Sequence, residues 1–92
     1  MFRLLIADDE PIVQEGIKFM VEDLFDDVEV VGVASSGREA IELAMQSSPD
    51  IIFMDIKMPG INGIEAIETI KRRNPYVKFV IISAYEQFEY AK

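Results

Sequence analysis

The chain contains no cysteine and no histidine. These absences exclude disulfides, thiol nucleophiles, histidine general bases and zinc sites built from histidine or cysteine. Basic residues are scarce, because 9 lysines and arginines stand against 17 acidic residues and leave a net charge of −8. Nucleic acids and anionic membranes attract basic surfaces, so we expect this segment to bind neither of them.

Long apolar runs are absent as well. No stretch approaches the roughly 18 apolar residues of a membrane-spanning helix. The first apolar run meets Asp8 and Asp9 too early for a signal peptide. We therefore expect no membrane segment and a cytoplasmic location, which suits a cysteine-free chain. The length predicts one small domain, residues 1–92. Half of these residues are apolar, which is enough for a hydrophobic core.

Short apolar runs alternate with segments of helical periodicity, in the order β-α-β-α-β-α-β-α. The runs cover residues 2–7, 28–34, 51–54 and 77–82, and a last helix is predicted from Glu86 to Lys92. Continuous apolar runs of this length are typical of strands buried on both faces. Strands that alternate with helices form a parallel sheet with helices on both sides, so the predicted fold class is α/β.

The helix starts are marked by specific residues. Pro11 suits the first turn of the first helix, where its missing N–H costs nothing. Ser36 with Glu39, and Asn62 with Glu65, predict N-terminal caps for the next two helices. The apolar positions at helical spacing, which we expect to face the core, are Val13, Ile17, Met20, Val21 and Leu24 in the first helix and Ile64, Ile67 and Ile70 in the third.

Polar residues follow three of the strands at their carboxyl ends. Asp8 and Asp9 follow the first strand, Asp55 the third and Ser83 the fourth, and parallel strands place these ends on one edge of the sheet. Two carboxylates ~4 Å apart repel by roughly 4 kcal/mol at an effective dielectric constant of 20, so a proton or a cation is needed among them. Oxygen-only ligands favour Mg²⁺. A carboxylate beside Mg²⁺ can attack a phosphoryl group and form an aspartyl phosphate.

Each of these residues also has an ordinary structural role open to it. A single aspartate at the end of a strand, such as Asp55, is more often a turn cap than a nucleophile. The functional interpretation is favoured only because Asp8, Asp9 and Ser83 are predicted to lie at the same edge of the sheet. Asp8 and Asp9 supply favourable charge at a helix N-terminus, and for Glu10 we expect that capping role to dominate. Ser83 taken alone fits a turn hydroxyl equally well.

Three motifs together carry a resemblance to a known family. Residues 4–10 (LLIADDE), 55–60 (DIKMPG) and 81–84 (IISA) resemble, in register and over the whole chain, the receiver domain of two-component response regulators. The resemblance implies a flavodoxin-like, CheY-like doubly wound parallel sheet with strand order 2-1-3-4. The site residues it implies are Asp55 as phosphoacceptor, Ser83 as switch hydroxyl, and Asp8, Asp9, Asp55 and the backbone carbonyl of Lys57 as Mg²⁺ ligands.

The resemblance also implies partners. It makes the chain a signalling switch rather than a turnover enzyme, phosphorylated by a sensor histidine kinase and controlling a transcriptional output domain that alone would bind DNA. Residues 83–92 resemble receivers joined to AraC-type helix-turn-helix output domains. Receivers of this family continue into a fifth strand with a lysine and a fifth helix, which this chain lacks, so we expect a truncated receiver. Its fourth strand would then offer an open edge to a second copy, giving a homodimer.

Two other functions compete with this one. A phosphohydrolase or phosphomutase of the haloacid-dehalogenase type needs a second aspartate two residues after its nucleophile, but Lys57 stands there. The sequence therefore disfavours this class. A protein-interaction module that is never phosphorylated is the remaining alternative. A nucleotide site is not expected, because no glycine-rich phosphate-binding loop follows any strand.

Overall fold

The computed structural model describes residues 1–58 and 60–82. The elements are β1 (Phe2–Ala7), α1 (Pro11–Leu24), β2 (Val28–Ala34), α2 (Gly37–Ser47), β3 (Ile51–Asp55), α3 (Gly63–Arg73) and β4 (Lys78–Ile82). The strands form one parallel sheet in the order β2-β1-β3-β4, which confirms the predicted topology. The helix predicted over residues 86–92 lies outside the described residues. Among the helices of the described part of the chain, none is both long and apolar enough to cross a membrane.

The alternation of side chains along the central strands builds a core on each face of the sheet. One core contains Leu5 and Ala7 of β1 together with Ile52 and Met54 of β3, and α2 and α3 pack on it. The other contains Leu4 and Ile6 of β1 with the half-buried Ile51 and Phe53 of β3 beneath α1. Because β1 and β3 are covered on both faces, polar residues on these strands are confined to their ends.

The helices bury less of their apolar surface than the sequence predicts. In α1, Val21 is buried, but Met20 and Leu24 are 52% and 63% exposed. The reason is that α1 packs chiefly on β1 and β2, so only a narrow stripe of the helix is covered. In α3, Ile64 is 54% exposed, and the buried stripe consists instead of Gly63, Ala66 and Ile70.

The predicted caps set the starts of α2 and α3. Oγ of Ser36 accepts a hydrogen bond from the backbone N–H of Glu39 at 3.1 Å. The carboxylate of Glu39 reaches back to the N–H of Ser35 at 2.6 Å, one residue earlier than a standard capping box would place it. Oδ1 of Asn62 accepts from the N–H of Glu65 at 2.9 Å. Both caps are confirmed, and they hold the loops that precede them.

Candidate functional site

Asp8 and Asp9 form the connection between β1 and α1. The backbone N–H of Asp8 donates to the carbonyl of Ala34 at 3.0 Å, which extends the pairing of β1 with β2 by one residue. Oδ1 of Asp8 accepts from the N–H of Glu10 at 2.8 Å, so the carboxylate is fixed by a local turn. Asp8 is only 2% exposed, whereas Asp9 is open to solvent.

Glu10 stands at the N-cap position of α1 but does not cap the helix with its side chain. The carboxylate forms no capping hydrogen bond, because the long glutamate side chain fits this role less well than Ser, Thr, Asp or Asn. The expected role of its charge at the helix N-terminus stays a prediction. Its backbone carbonyl accepts from the N–H groups of Val13 and Gln14, each at 3.0 Å. Its carboxylate instead joins those of Asp8 and Asp9, with one oxygen of each within 4.8 Å of the others. Three negative charges at this spacing favour a cation.

Asp55 is the last residue of β3 and is 8% exposed. Burial raises the pKa of its carboxyl, and the hydrogen bond from the N–H of Lys57 lowers it in part. The negative charges of Asp8 and Asp9, and a side-chain hydrogen bond with Asp8, raise the pKa further. The structure thus brings Asp55 into electrostatic contact with the two acids that follow β1, as the parallel topology predicts.

The predicted roles of the other two site residues, Lys57 and Ser83, remain predictions. Lys57 is exposed beside Asp55, and the proposed use of its carbonyl as a ligand stays a prediction. Ser83 lies outside the described residues. The residue before it, Ile82, pairs with Asp55 in the register of β3 and β4, and its carbonyl accepts from the N–H of Ile56 at 3.4 Å. The described end of β4 therefore reaches the same edge of the sheet.

Gly63 is a residue that sequence analysis missed. Its N–H donates to the carbonyl of Ile56 at 3.0 Å, which closes the loop that follows Asp55. A Cβ at this position would lie 2.7 Å from Cα of Ile56 and would also overlap the carbonyl oxygen of Asp55. Only glycine allows α3 to start this close to the end of β3. The available signal was a glycine directly after the cap residue Asn62.

Comparison with known proteins identifies the family of this chain. The family model of the response regulator receiver domain matches residues 4–92. Response regulator GacA of Pseudomonas viridiflava is 41% identical over 87 residues, which are 95% of this chain and 40% of that protein. The REC domain of AraT from Geobacillus stearothermophilus superposes with a TM-score of 0.88 and 36% identity, covering 98% of this chain and 70% of that one.

A third relative was solved with a phosphate mimic. The isolated REC domain of RcsB from Salmonella enterica serovar Typhimurium, in the presence of phosphomimetic BeF₃⁻, has a TM-score of 0.81 and 30% identity, covering 89% of this chain and 61% of that one. The chain spans less than half the length of the curated relatives it matches. On its sequence motifs, its sheet order and the family match, the chain belongs to the response regulator receiver domains of two-component systems.

Proposed function

We propose that this chain is a phosphoacceptor switch, in which Asp55 receives a phosphoryl group from a sensor histidine kinase. The observation that carries the proposal is the position of Asp8, Asp9 and Asp55 at one edge of the sheet, where burial first, and then the charges of Asp8 and Asp9, raise the pKa of Asp55. Asp55 is held at the end of a buried strand yet keeps 8% of its surface exposed. A phosphodonor can therefore approach a nucleophile whose position is fixed.

The donor atoms at this edge fit Mg²⁺. The clustered side chains of Asp8, Asp9 and Glu10 offer only carboxylate oxygens, which are the ligands that Mg²⁺ takes in proteins together with water. We assign the carboxylates of Asp8, Asp9 and Asp55 and the backbone carbonyl of Lys57 as its ligands. When bound, Mg²⁺ would neutralise charge on the oxygens of the transferring phosphoryl group.

In the proposed transfer, an ionised carboxylate oxygen of Asp55 attacks the phosphorus atom of a phosphohistidine. The P–N bond breaks, its electron pair stays on the imidazole nitrogen of the kinase, and an acyl phosphate forms on Asp55. The direction of the pKa shift at Asp55 opposes ionisation of the attacking carboxyl. A cation held by the carboxylates of Asp8, Asp9 and Asp55 would offset the repulsion among them and stabilise the ionised form of Asp55.

The readout follows from the added charge. Phosphorylation would replace the single negative charge of the Asp55 carboxylate with a phosphoryl group carrying about −1.5 to −2, at the end of β3 that pairs with Ile82 of β4. In our proposal the hydroxyl of Ser83 turns toward this group, and the change reaches a transcriptional output domain outside this chain. Any contact with DNA belongs to that domain.

The side of β4 that faces away from β3 supports the proposed homodimer. Val80 and Ile81 are 46% and 45% exposed, and within the described residues β4 pairs with β3 alone. An exposed apolar edge of this kind can accept a strand from a second copy. Light scattering at rising protein concentration tests this, and a monomer throughout the range would count against it.

The experiment for the phosphoacceptor role is an NMR titration with beryllofluoride and Mg²⁺. We expect the amide resonances around Asp55 to shift in the unmodified protein and to stay in place in Asp55→Asn. Asp26→Asn is the matched control, because Asp26 is exposed in the connection between α1 and β2, at the opposite edge of the sheet. A well-folded protein that binds Mg²⁺ without responding to beryllofluoride would refute the switch and favour the non-phosphorylated interaction module.

A further inference from the structure

Gln14, near the start of α1, connects the acidic loop, residues 8–10, to the end of β2. Its side-chain nitrogen donates to the backbone carbonyl of Asp8 and to Oγ of Ser35 at 3.0 Å, and the carbonyl of Ala34 lies 3.5 Å away. Carbonyl oxygens can only accept hydrogen bonds. The nitrogen of the amide, and not its oxygen, must therefore face this group of acceptors.

The carbonyl that Gln14 holds belongs to the peptide group between Asp8 and Asp9. Because a peptide group is planar, fixing its carbonyl also fixes the direction in which the chain enters Asp9. The carboxylate of Asp8 is held separately, by the N–H of Glu10 at 2.8 Å. Asp9 is exposed, so the backbone that carries it is what directs its carboxylate.

The far end of this contact is also anchored. Ser35 directly follows β2, and its N–H donates to the carboxylate of Glu39 in the first turn of α2 at 2.6 Å. Gln14 thus joins the acidic loop to a position fixed by both a strand end and a helix start. A loop held in this way keeps its peptide orientation when the charges on it repel each other.

We propose that Gln14 is a positioning residue for the divalent cation, holding the Asp8–Asp9 peptide group so that both carboxylates converge with Asp55. The inference rests on the proposed function, since it assumes that Mg²⁺ binds among these acids. Gln14 acts through the backbone and does not itself touch the cation. Hydrogen bonds that orient metal ligands typically contribute 10- to 100-fold to metal affinity or activity.

The test compares Gln14→Leu, which keeps the approximate size of the side chain but loses its donors, with Gln46→Leu. Gln46 is exposed on α2 and provides the same chemical change away from the acids. Calorimetric titration should show the Kd for Mg²⁺ about tenfold higher in Gln14→Leu and unchanged in Gln46→Leu. The rate of phosphorylation by a small phosphodonor should return to that of the unmodified protein at saturating Mg²⁺. A general packing defect would instead lower thermal stability and leave the phosphorylation rate low even at saturating Mg²⁺.

A second measurement uses the unmodified protein and decides the matter if Gln14→Leu does not fold. The side-chain amide signals of Gln14 in an NMR titration should shift with the same Mg²⁺ midpoint as the backbone amide of Asp9, while those of Gln46 stay in place. An unchanged Kd in folded Gln14→Leu, or a Gln14 amide that does not respond, overturns the positioning role and leaves the proposed function standing. Failure of the unmodified protein to bind Mg²⁺ overturns both.

Discussion

The backbone N–H of Lys57 donates a hydrogen bond of 3.1 Å to Oδ1 of Asp55, two residues earlier in the chain. This bond favours the ionised carboxylate, whereas burial and the neighbouring Asp8 and Asp9 favour the protonated form. The second group of effects prevails, since the pKa of Asp55 is raised. The ionised carboxylate of Asp55 is therefore held in place at a cost in stability that a cation would reduce.

Asp55→Asn is expected to raise the free energy of unfolding near neutral pH in the absence of Mg²⁺. A carboxyl with a raised folded pKa binds its proton more tightly in the folded state. Its contribution to stability is therefore present at low pH and is lost as the pH rises from the unfolded value of about 3.8 through the folded pKa. Asparagine does not titrate, so the gap between the two proteins should open over this interval and then stay constant.

Urea denaturation of both proteins from acidic to neutral pH measures this gap. Asp26→Asn serves as the control, because Asp26 is exposed and lies apart from the acidic cluster. Equal unfolding free energies for Asp55→Asn and the unmodified protein at every pH would show that Asp55 carries no such cost.

Mg²⁺ should stabilise the folded protein, because the proposed site would exist in the folded protein and not in the unfolded chain. The expected gain is about 2.7 kcal/mol at a hundredfold excess over the Kd. Asp9→Asn should lose most of this gain at the same Mg²⁺ concentration, since it removes one proposed ligand. Thermal unfolding followed by circular dichroism measures the effect, with sodium chloride added to equal ionic strength as the reference. A gain that sodium chloride reproduces would mean charge screening rather than a site.

Gly63→Ala and Gly16→Ala should change stability in opposite directions. A Cβ at Gly63 overlaps backbone atoms of Asp55 and Ile56, which cannot move without shifting β3, so we expect a loss of about 2 kcal/mol or more. A Cβ at Gly16 meets nothing within 4 Å, and alanine in the interior of α1 should add roughly 0.5–1 kcal/mol. Urea denaturation of the pair tests both signs. A neutral Gly63→Ala would mean that α3 need not start against β3.

Local chemistry was enough to predict most of the fold. The apolar runs, the turns and the caps at Ser36 and Asn62 are properties of a few adjacent residues, and the elements predicted within the described residues appeared where they indicate. The edge position of Asp8, Asp9 and Asp55 followed as well, because parallel strands leave only one place for their carboxyl ends. The sheet order came from the resemblance to receivers and was confirmed by the pairing of the strands.

Two of the misses have a physical cause in contacts between distant residues. Helical spacing shows that one side of a helix is apolar but not how much of that side is covered, which is why Met20, Leu24 and Ile64 were wrongly placed in the core. Gln14 has acceptors 6 and 21 residues away in the chain, so no local pattern identifies it. The AraC-type relationship of residues 83–92 stays a prediction.

The central claim is tested most directly by locating the phosphoryl group. The protein is incubated with a small phosphodonor and Mg²⁺, and intact-mass spectrometry is followed by peptide mapping after borohydride reduction of the acyl phosphate. We predict the added mass of one phosphoryl group, located at Asp55. The group should not be added when Mg²⁺ is chelated before the phosphodonor is supplied, nor in Asp55→Asn. A folded, Mg²⁺-loaded protein that gains no phosphoryl group, or gains it on another residue and keeps it in Asp55→Asn, would contradict the account.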